Sequence, residues 1–424
     1  MGNLDYTQVL NKIENTRRFG NEPGVVVTAQ VIKVLREKGK QKRIIPYIHV
    51  AGTNGKGSVC AFFSSILKKE HMRVGTFVSP HLVDFEERIT VDGRMIPKED
   101  VTRLGNYLLD IDFGIGLTMF DYCLAMALLY FEEQQCDYMV IETGLGGRLD
   151  STNAIGTPQC AVITKIGYDH MAILGSDIAD IAAEKAGIIK ENGTVVVEQQ
   201  DKRAMQVIEQ EAKKKHARII TVEQSDIARC SGYALRLCGT FQWENAAAAE
   251  LAARYVLGKR YSGPEYEMQY DKTEPKREET DLNDRIKRAL EEAVWPGRME
   301  IVSKEPFLLV DGAHNSNGVD ALKESLMQMY PGEKFCFFMG VMADKDYDVM
   351  IREILPLAEE FYTVTPDSDR ALQASHLADF IRKEGVCATE LSGVDEIRKH
   401  LKRDTKNVAF GSLYFIGELK RHRI

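Results

Sequence analysis

The chain has 424 residues, of which 44% are hydrophobic and 28% charged, and its formal net charge is −8. This length fits two to three domains. The acidic balance, without a stripe of arginine and aromatic residues, excludes a nucleic-acid-binding protein. The eight cysteines are scattered without a C-x-x-C pair, which indicates a reducing compartment rather than a disulfide framework or a zinc site. No signal-peptide pattern or bilayer-length apolar run occurs, so we expect a cytoplasmic protein with no membrane partner.

Short apolar runs alternate with helical patterns along most of the chain. The runs predict strands over 44–50, 73–78, 138–142, 160–166, 194–197 and 218–222. Helices are predicted between them, for example over 120–133 and 178–186. Such alternation is typical of an α/β fold in which helices cover a mostly parallel sheet.

Residues 257–284 are polar and lack periodicity, which predicts an exposed insertion, a plain solvated loop rather than a functional lid. A second, smaller Rossmann-like α/β unit is predicted from residue 295 onward, with strands over 307–310, 334–340, 361–364 and 407–410. The predicted domains are therefore 1–294 and 295–424.

The stretch from His49 to Ser58 is rich in glycine and lies between a predicted strand and a predicted helix. Glycines let backbone N–H groups converge on an anion, and the helix directs its positive dipole end to the same place. Lys56 would reach terminal phosphates, and Ser58 stands where a phosphate-loop hydroxyl meets Mg²⁺. The spacing is shorter than G-x-x-x-x-G-K-[ST], so a generic NTPase assignment does not follow.

Three further residues on this part of the chain are candidates for metal binding or catalysis. Glu142 ends a predicted buried strand just before a glycine turn. A carboxylate at this place is well positioned to bind Mg²⁺, which we favour over the alternative that it only caps the turn. His170 follows another strand, and its position leaves a metal-ligand role and a structural role equally open. Position alone favours a solvated Lys185, although a desolvated lysine amine would react with carbon dioxide.

In the second unit, Asp311, His314 and Asn315 follow a predicted strand, and Arg298 precedes them. Arginine suits developing phosphoryl charge, and aspartate suits a ribose or an amine. A polar helix cap is the alternative explanation for this group.

Taken together, these segments resemble the folylpolyglutamate synthase/dihydrofolate synthase family of the Mur ligase superfamily. The matching stretches occur in the family's order over nearly the whole chain: 49–58, 79–82, 87–89, 142–153, 163–170, 174–175, 181–189, 241–248, 296–298, 311–315 and 411–413. The resemblance implies an ATP- and Mg²⁺-dependent ligase that phosphorylates a folate or pteroate carboxylate and then joins it to L-glutamate. It also implies a monomer.

The resemblance assigns roles residue by residue. Phosphate and ATP contacts are implied for Asn54, Gly55, Lys56, Gly57, Ser58, Asn245, Arg298 and Asp311. Mg²⁺ ligands are implied at Ser58, Ser79, Glu142 and His170, and a carbamylated lysine at Lys185. Lys56, Lys185 and His314 are the implied catalytic residues, and Arg88, Phe120 and Ser412 the implied substrate-binding ones.

Two departures from the family pattern concern the acceptor rather than ATP. Residues 21–25 keep the pterin-side pattern only loosely, and the 257–284 insertion has no counterpart. A peptidoglycan Mur ligase is disfavoured because only about fifty residues precede the glycine loop, too few for a nucleotide-sugar domain. A nucleotide-binding protein without ligase activity is the alternative from another class. Whether dihydropteroate, reduced folate or both are accepted stays open.

Overall fold

The computed structural model describes residues 4–16, 20–261 and 275–424. The chain forms two compact units, one comprising Met1–Ala234 with Glu244–Ala293 and the other Leu235–Trp243 with Val294–Ile424. The division differs from the predicted domains in residues 235–243 and Val294, which belong to the second unit.

The first unit contains an eight-stranded sheet in the order β4-β3-β2-β5-β1-β6-β7-β8. Its strands are β1 Tyr47–Ala51, β2 Val74–Phe77, β3 Ile89–Val91, β4 Arg94–Met95, β5 Tyr138–Glu142, β6 Cys160–Ile163, β7 Thr194–Val197 and β8 Arg218–Thr221. Every pairing is parallel except those of β3 with β2 and β4 with β3. Strands β1 and β5 are buried along their whole length, as expected for central parallel strands.

Helices flank this sheet. They are α1 Tyr6–Glu14, α2 Gly24–Glu37, α3 Lys56–Lys69, α4 Lys98–Leu109, α5 Met119–Glu133, α6 Met171–Leu174, α7 Ile178–Ala186, α8 Lys202–Lys214, α9 Gln224–Ser231, α10 Phe241–Tyr261 and α11 Pro275–Glu292. None of the helices in the part of the chain that the structure describes is long and apolar enough to cross a membrane.

The prediction of a loop over 257–284 is wrong at both ends, and residues 262–274 lie outside the described residues. Helix α10 continues to Tyr261, and α11 begins at Pro275. Ile286, Ala289 and Leu290 are buried at helical spacing, and Ser65 Oγ on α3 donates to the carbonyl oxygen of Ala289 at 2.6 Å. Because most residues of α11 are charged or polar, its few apolar positions did not stand out in the sequence, and the start of the helix was not predicted.

The second unit contains a six-stranded sheet in the order β13-β12-β11-β14-β10-β9, with only β9 antiparallel to its neighbour. Its strands are β9 Glu300–Lys304, β10 Phe307–Val310, β11 Phe335–Met339, β12 Ala358–Thr363, β13 Ala388–Glu390 and β14 Lys406–Phe410. Its helices are α12 Ser316–Met329, α13 Tyr347–Ile354, α14 Ala374–Lys383, α15 Ile397–His400 and α16 Leu413–Arg421. The predicted α/β class with a large, mostly parallel sheet and a smaller second sheet is confirmed.

Candidate active site

The glycine loop joins β1 to α3, as the sequence predicts. Gly55 takes a left-handed conformation with φ +88° just before α3, which begins at Lys56. The first N–H groups of an α-helix have no partner within the helix, so those at this end of α3 are suited to bind an anion. A Cβ at Gly55 would lie 2.3 Å from Oδ1 of Asn245, so Asn245 packs directly against the loop.

Two lysine side chains meet at the carbonyl oxygen of Gly52. Lys185 Nζ donates to it at 2.8 Å and Lys56 Nζ at 3.1 Å. Lys56 also donates to the carbonyl oxygen of Thr53 at 3.2 Å. Two ammonium groups so close repel each other, and Lys185 is buried as well. Burial, together with the charge of Lys56, lowers the pKa of Lys185 to about 7.

Glu142 lies beside this pair of lysines. It ends β5, is 4% exposed, and places Oε1 4.0 Å from Lys56 Nζ. Its Oε2 accepts the backbone N–H of Ser79 at 3.2 Å. The structure thus brings Glu142, Ser79, Lys56 and Lys185 into one continuous cluster. Ser58 is buried in the first turn of α3.

His170 precedes α6 in a left-handed conformation with φ +52°. Its side chain is 41% exposed, and its Nε2 lies 3.9 Å from Oδ1 of Asp169. Within the described ranges, no three His, Cys, Asp or Glu side chains are grouped to hold a metal ion. Mg²⁺ commonly takes only one or two carboxylates, with water and substrate phosphates completing its shell. A single buried Glu142 beside the phosphate loop therefore fits Mg²⁺ held together with ATP.

Sequence reasoning missed two carboxylates near Lys185. The charges of Asp169 and Asp150 both oppose the lowering of the Lys185 pKa. Asp150 is buried and organises the turn after Glu142: its Oδ2 accepts the N–H groups of Gly144 and Leu145 at 3.0 and 2.8 Å. Asp150 lies within the matching stretch 142–153 and Asp169 directly precedes His170, and these positions were the available signal.

The predicted substrate residues of the first unit lie in two places. Arg88 is buried, and its Nε donates to Nδ1 of His81 at 2.8 Å, so it braces the segment that begins at Ser79. Phe120 lies in the first turn of α5, half-buried, with its ring centroid 5.5 Å from that of Phe77. A Cβ at Gly144 would lie 2.8 Å from the Phe120 ring.

In the second unit, the predicted residues gather at the carboxyl ends of β10 and β14. Asp311 is buried and accepts the N–H groups of Met299 and Ala313 at 2.8 and 2.7 Å. Burial raises the pKa of its carboxyl group, whereas Arg298 and His314 act to lower it. His314 Nδ1 lies 2.8 Å from the carbonyl oxygen of Gly312.

Two further polar residues of this unit cap helices. Asn315 Oδ1 accepts the N–H of Gly318 at the start of α12, at 2.8 Å. Ser412 Oγ accepts the N–H of Phe415 at the start of α16, at 3.1 Å. The capping alternative therefore describes Asn315 well.

Comparison with known proteins identifies the family. The Mur ligase middle domain matches residues 50–253, and the Mur ligase glutamate ligase domain matches residues 297–411. Dihydrofolate synthase/folylpolyglutamate synthase of Bacillus subtilis (strain 168) is 33% identical over 453 aligned positions, which cover 98% of each chain. The chain belongs to the folylpolyglutamate synthase/dihydrofolate synthase family.

Solved structures of this family share the fold over the whole chain. Mycobacterium tuberculosis folylpolyglutamate synthase, complexed with ADP and AMPPCP, matches with a TM-score of 0.82 and 25% identity over 99% of both chains. E. coli FolC in complex with DHPP and ADP matches with a TM-score of 0.80 and 26% identity, over 99% of this chain and 97% of that one.

The glycine loop of this family member gives a first testable prediction. A Gly55→Ala variant combines a positive φ, which costs about 1–2 kcal/mol for an L-residue, with a clash against Asn245. We expect the Kd of a non-hydrolysable ATP analogue, measured by calorimetry, to rise at least about tenfold, since a 1.4 kcal/mol change is tenfold in binding. Gly39→Ala is the matched control because its φ is +66° and a Cβ there meets nothing within 4 Å. Equal affinities for the two variants would contradict the prediction.

Proposed function

We propose that this protein is an ATP-dependent ligase that joins L-glutamate to the carboxylate of a folate-type acceptor, and that it accepts dihydropteroate as well as reduced folates. The observation that carries the proposal is the cluster at Gly52, where two lysines and a buried glutamate surround a phosphate-type loop. Similarity to the B. subtilis dihydrofolate synthase/folylpolyglutamate synthase over 98% of both chains supports the choice of acceptors.

The reaction joins two anions, so charge must be balanced before atoms can move. A carboxylate oxygen of the acceptor bonds to the γ-phosphorus of ATP. The bond between that phosphorus and the oxygen that bridges it to the β-phosphate breaks, and ADP leaves. The amine of glutamate then bonds to the carbonyl carbon of the acyl phosphate, loses a proton, and inorganic phosphate leaves. Catalysis of such steps is mainly positioning and electrostatic stabilisation.

Each residue of the cluster has a role in this scheme. Asn54, Gly55, Lys56, Gly57 and Ser58 bind the phosphates, with Asn245 fixing the loop from behind. Ser58, Ser79, Glu142 and His170 would hold Mg²⁺, which neutralises phosphate charge when it is bound with ATP. Lys185 becomes a carbamate, because an unprotonated buried amine reacts with carbon dioxide.

The remaining predicted residues act on the substrates. We infer roles in ATP binding for Arg298 and Asp311, and in handling glutamate and the acyl phosphate for His314 and Ser412. Phe120 contacts the acceptor, and Arg88 holds the segment beside it through His81. We also propose that the enzyme acts as a monomer in the cytoplasm. The scattered spacing of the eight cysteines, without a C-x-x-C pair, supports a reducing compartment.

One assay tests the acceptor. Purified protein receives ATP, Mg²⁺ and L-glutamate with either dihydropteroate or tetrahydrofolate, and mass spectrometry follows the addition of glutamyl residues. We expect both acceptors to gain glutamate, with phosphate release that depends on acceptor and glutamate together. Product from tetrahydrofolate alone would restrict the enzyme to polyglutamylation. Nucleotide binding without product from either acceptor would favour another amide ligase or a non-catalytic protein.

A further inference from the structure

The phosphate-binding loop rests on the segment that follows β6. The carbonyl oxygen of Lys165 accepts the N–H groups of Thr53 and Asn54, at 2.9 and 3.3 Å. Thr164 Oγ1 donates to the carbonyl oxygen of Asn54 at 2.6 Å. Thr53 Oγ1 exchanges hydrogen bonds with the backbone of Gly167, each 3.0 Å long. The loop before α3 is therefore placed by residues 164–167 as well as by its own glycines.

Residues 164–167 follow the end of β6, and the residues after β7 hold part of this segment in place. Glu198 Oε2 accepts the N–H of Lys165 at 2.7 Å. Gln200 Oε1 accepts the N–H of Ile166 at 2.9 Å, and its Nε2 donates to the carbonyl oxygen of Thr164 at 3.1 Å. These contacts place both side chains beside the segment that follows β6. Three hydrogen bonds from side chains thus hold the backbone of residues 164–166, and this backbone in turn holds the phosphate loop.

Glu198 is an expensive residue to bury. It is 1% exposed, and its Oε1 has no hydrogen-bond partner among the described residues. Burial and the neighbouring Glu244 carboxylate both raise the pKa of Glu198, whereas the N–H and the charge of Lys165 lower it. Glu244 is itself engaged, because its Oε1 accepts the N–H of Gln199 at 2.6 Å. A leucine of similar size would avoid this desolvation cost but would leave the N–H of Lys165 without an acceptor.

We propose that Glu198 and Gln200 are positioning residues for nucleotide binding, which act on the phosphate loop through the backbone of residues 164–166. Their hydrogen bonds to Thr164, Lys165 and Ile166 are the contacts through which they act. This inference rests on the proposed binding of ATP phosphates by residues 54–58. It extends the site from the loop to the second strand beyond it, β7.

Four variants test the proposal, with the Kd of a non-hydrolysable ATP analogue and the thermal unfolding midpoint measured for each. Glu198→Leu removes the acceptor for Lys165 N–H, and we expect its Kd to rise about five- to tenfold, the effect of one lost buried hydrogen bond. Glu198→Gln keeps an acceptor oxygen, so its Kd should equal that of the wild type. Gln200 is half-buried, so water can replace part of what its side chain provides. The Kd of Gln200→Leu should therefore rise by less, about threefold.

Thr194→Val is the matched control. Thr194 lies at the opposite end of β7, is buried, and its Oγ1 donates to the Tyr255 hydroxyl at 2.7 Å. This variant should lower the unfolding midpoint without changing the Kd. A folded Glu198→Leu protein with wild-type Kd would overturn the proposal, as would a Glu198→Gln protein as weak as the leucine variant. If Glu198→Leu does not fold, unchanged affinity in Gln200→Leu overturns it. Failure of the wild type to bind the analogue would instead refute the proposed function.

Discussion

A Lys56→Met variant is expected to lose about three orders of magnitude in kcat/KM for ATP, at the upper end of the loss seen when one preorganised donor is removed from a catalytic site. Lys56 Nζ rests on the carbonyl oxygens of Gly52 and Thr53 and faces Glu142, so its charge lies at the mouth of the phosphate loop. Methionine preserves the length and apolar stem of the side chain, so the variant should fold. Steady-state kinetics with saturating acceptor and glutamate measure the loss.

Lys68→Met is the control for Lys56→Met. Lys68 is exposed in the last turn of the same helix, α3, and has the same intrinsic helix propensity. Its replacement should leave kcat/KM for ATP unchanged. If the Lys56 variant retained wild-type kinetics, the loop would not bind phosphates through this side chain.

The sequence predicted the strands of both sheets well where they are central. Predicted strands at 138–142, 194–197 and 307–310 coincide with β5, β7 and β10. These strands are short apolar runs because a parallel sheet buries both faces. Four strands were missed, β3, β4, β9 and β13, which are short or half-exposed and whose residues carry no such run. The edge strand β8 was predicted, over 218–222, because it does carry one.

The site residues at strand ends could be predicted for the same reason. Parallel strands bring their carboxyl ends to one edge of a sheet, so Glu142 and the glycine loop were expected at the same edge; the pairing of β1 with β5 then makes them neighbours. The sequence did not predict which group each side chain contacts. Lys185 and Gly52 are 133 positions apart in the chain, and no local pattern encodes their contact.

Lys185 nevertheless carried a local signal that position alone obscured. Ile178, Ile181, Ala182 and Lys185 follow the spacing i, i+3, i+4, i+7 along α7, and all four are buried. A lysine on the apolar stripe of a helix is a desolvated lysine unless its stem carries the ammonium to water. The solvated interpretation was therefore wrong, for a reason that helical periodicity contains.

The buried amine leads to the second large prediction. A Lys185→Ala variant should lose about 100-fold in kcat, the upper range for groups that orient a metal site, and short carboxylates such as acetate should restore part of the activity. The amine nitrogen of Lys185 bonds to the carbon of carbon dioxide and loses a proton to solvent, which leaves a carbamate anion. Only the unprotonated amine reacts. Because the pKa of Lys185 is about 7, carbamylation should decrease as the pH falls below that value and increase above it.

Intact mass spectrometry of gently handled protein should find the added mass of one carbon dioxide in the wild type and not in the Lys185 variant. Lys190→Ala is the matched control: Lys190 is also partly buried, its pKa is also lowered, and its Nζ donates to the carbonyl oxygen of Asn153 at 2.9 Å. That variant should lose no carbon dioxide and gain nothing from acetate. A fully active Lys185→Ala enzyme would mean that the reaction does not need this side chain. An inactive enzyme that no carboxylate rescues would mean that the amine serves the site through its hydrogen bond to Gly52 rather than as a carbamate.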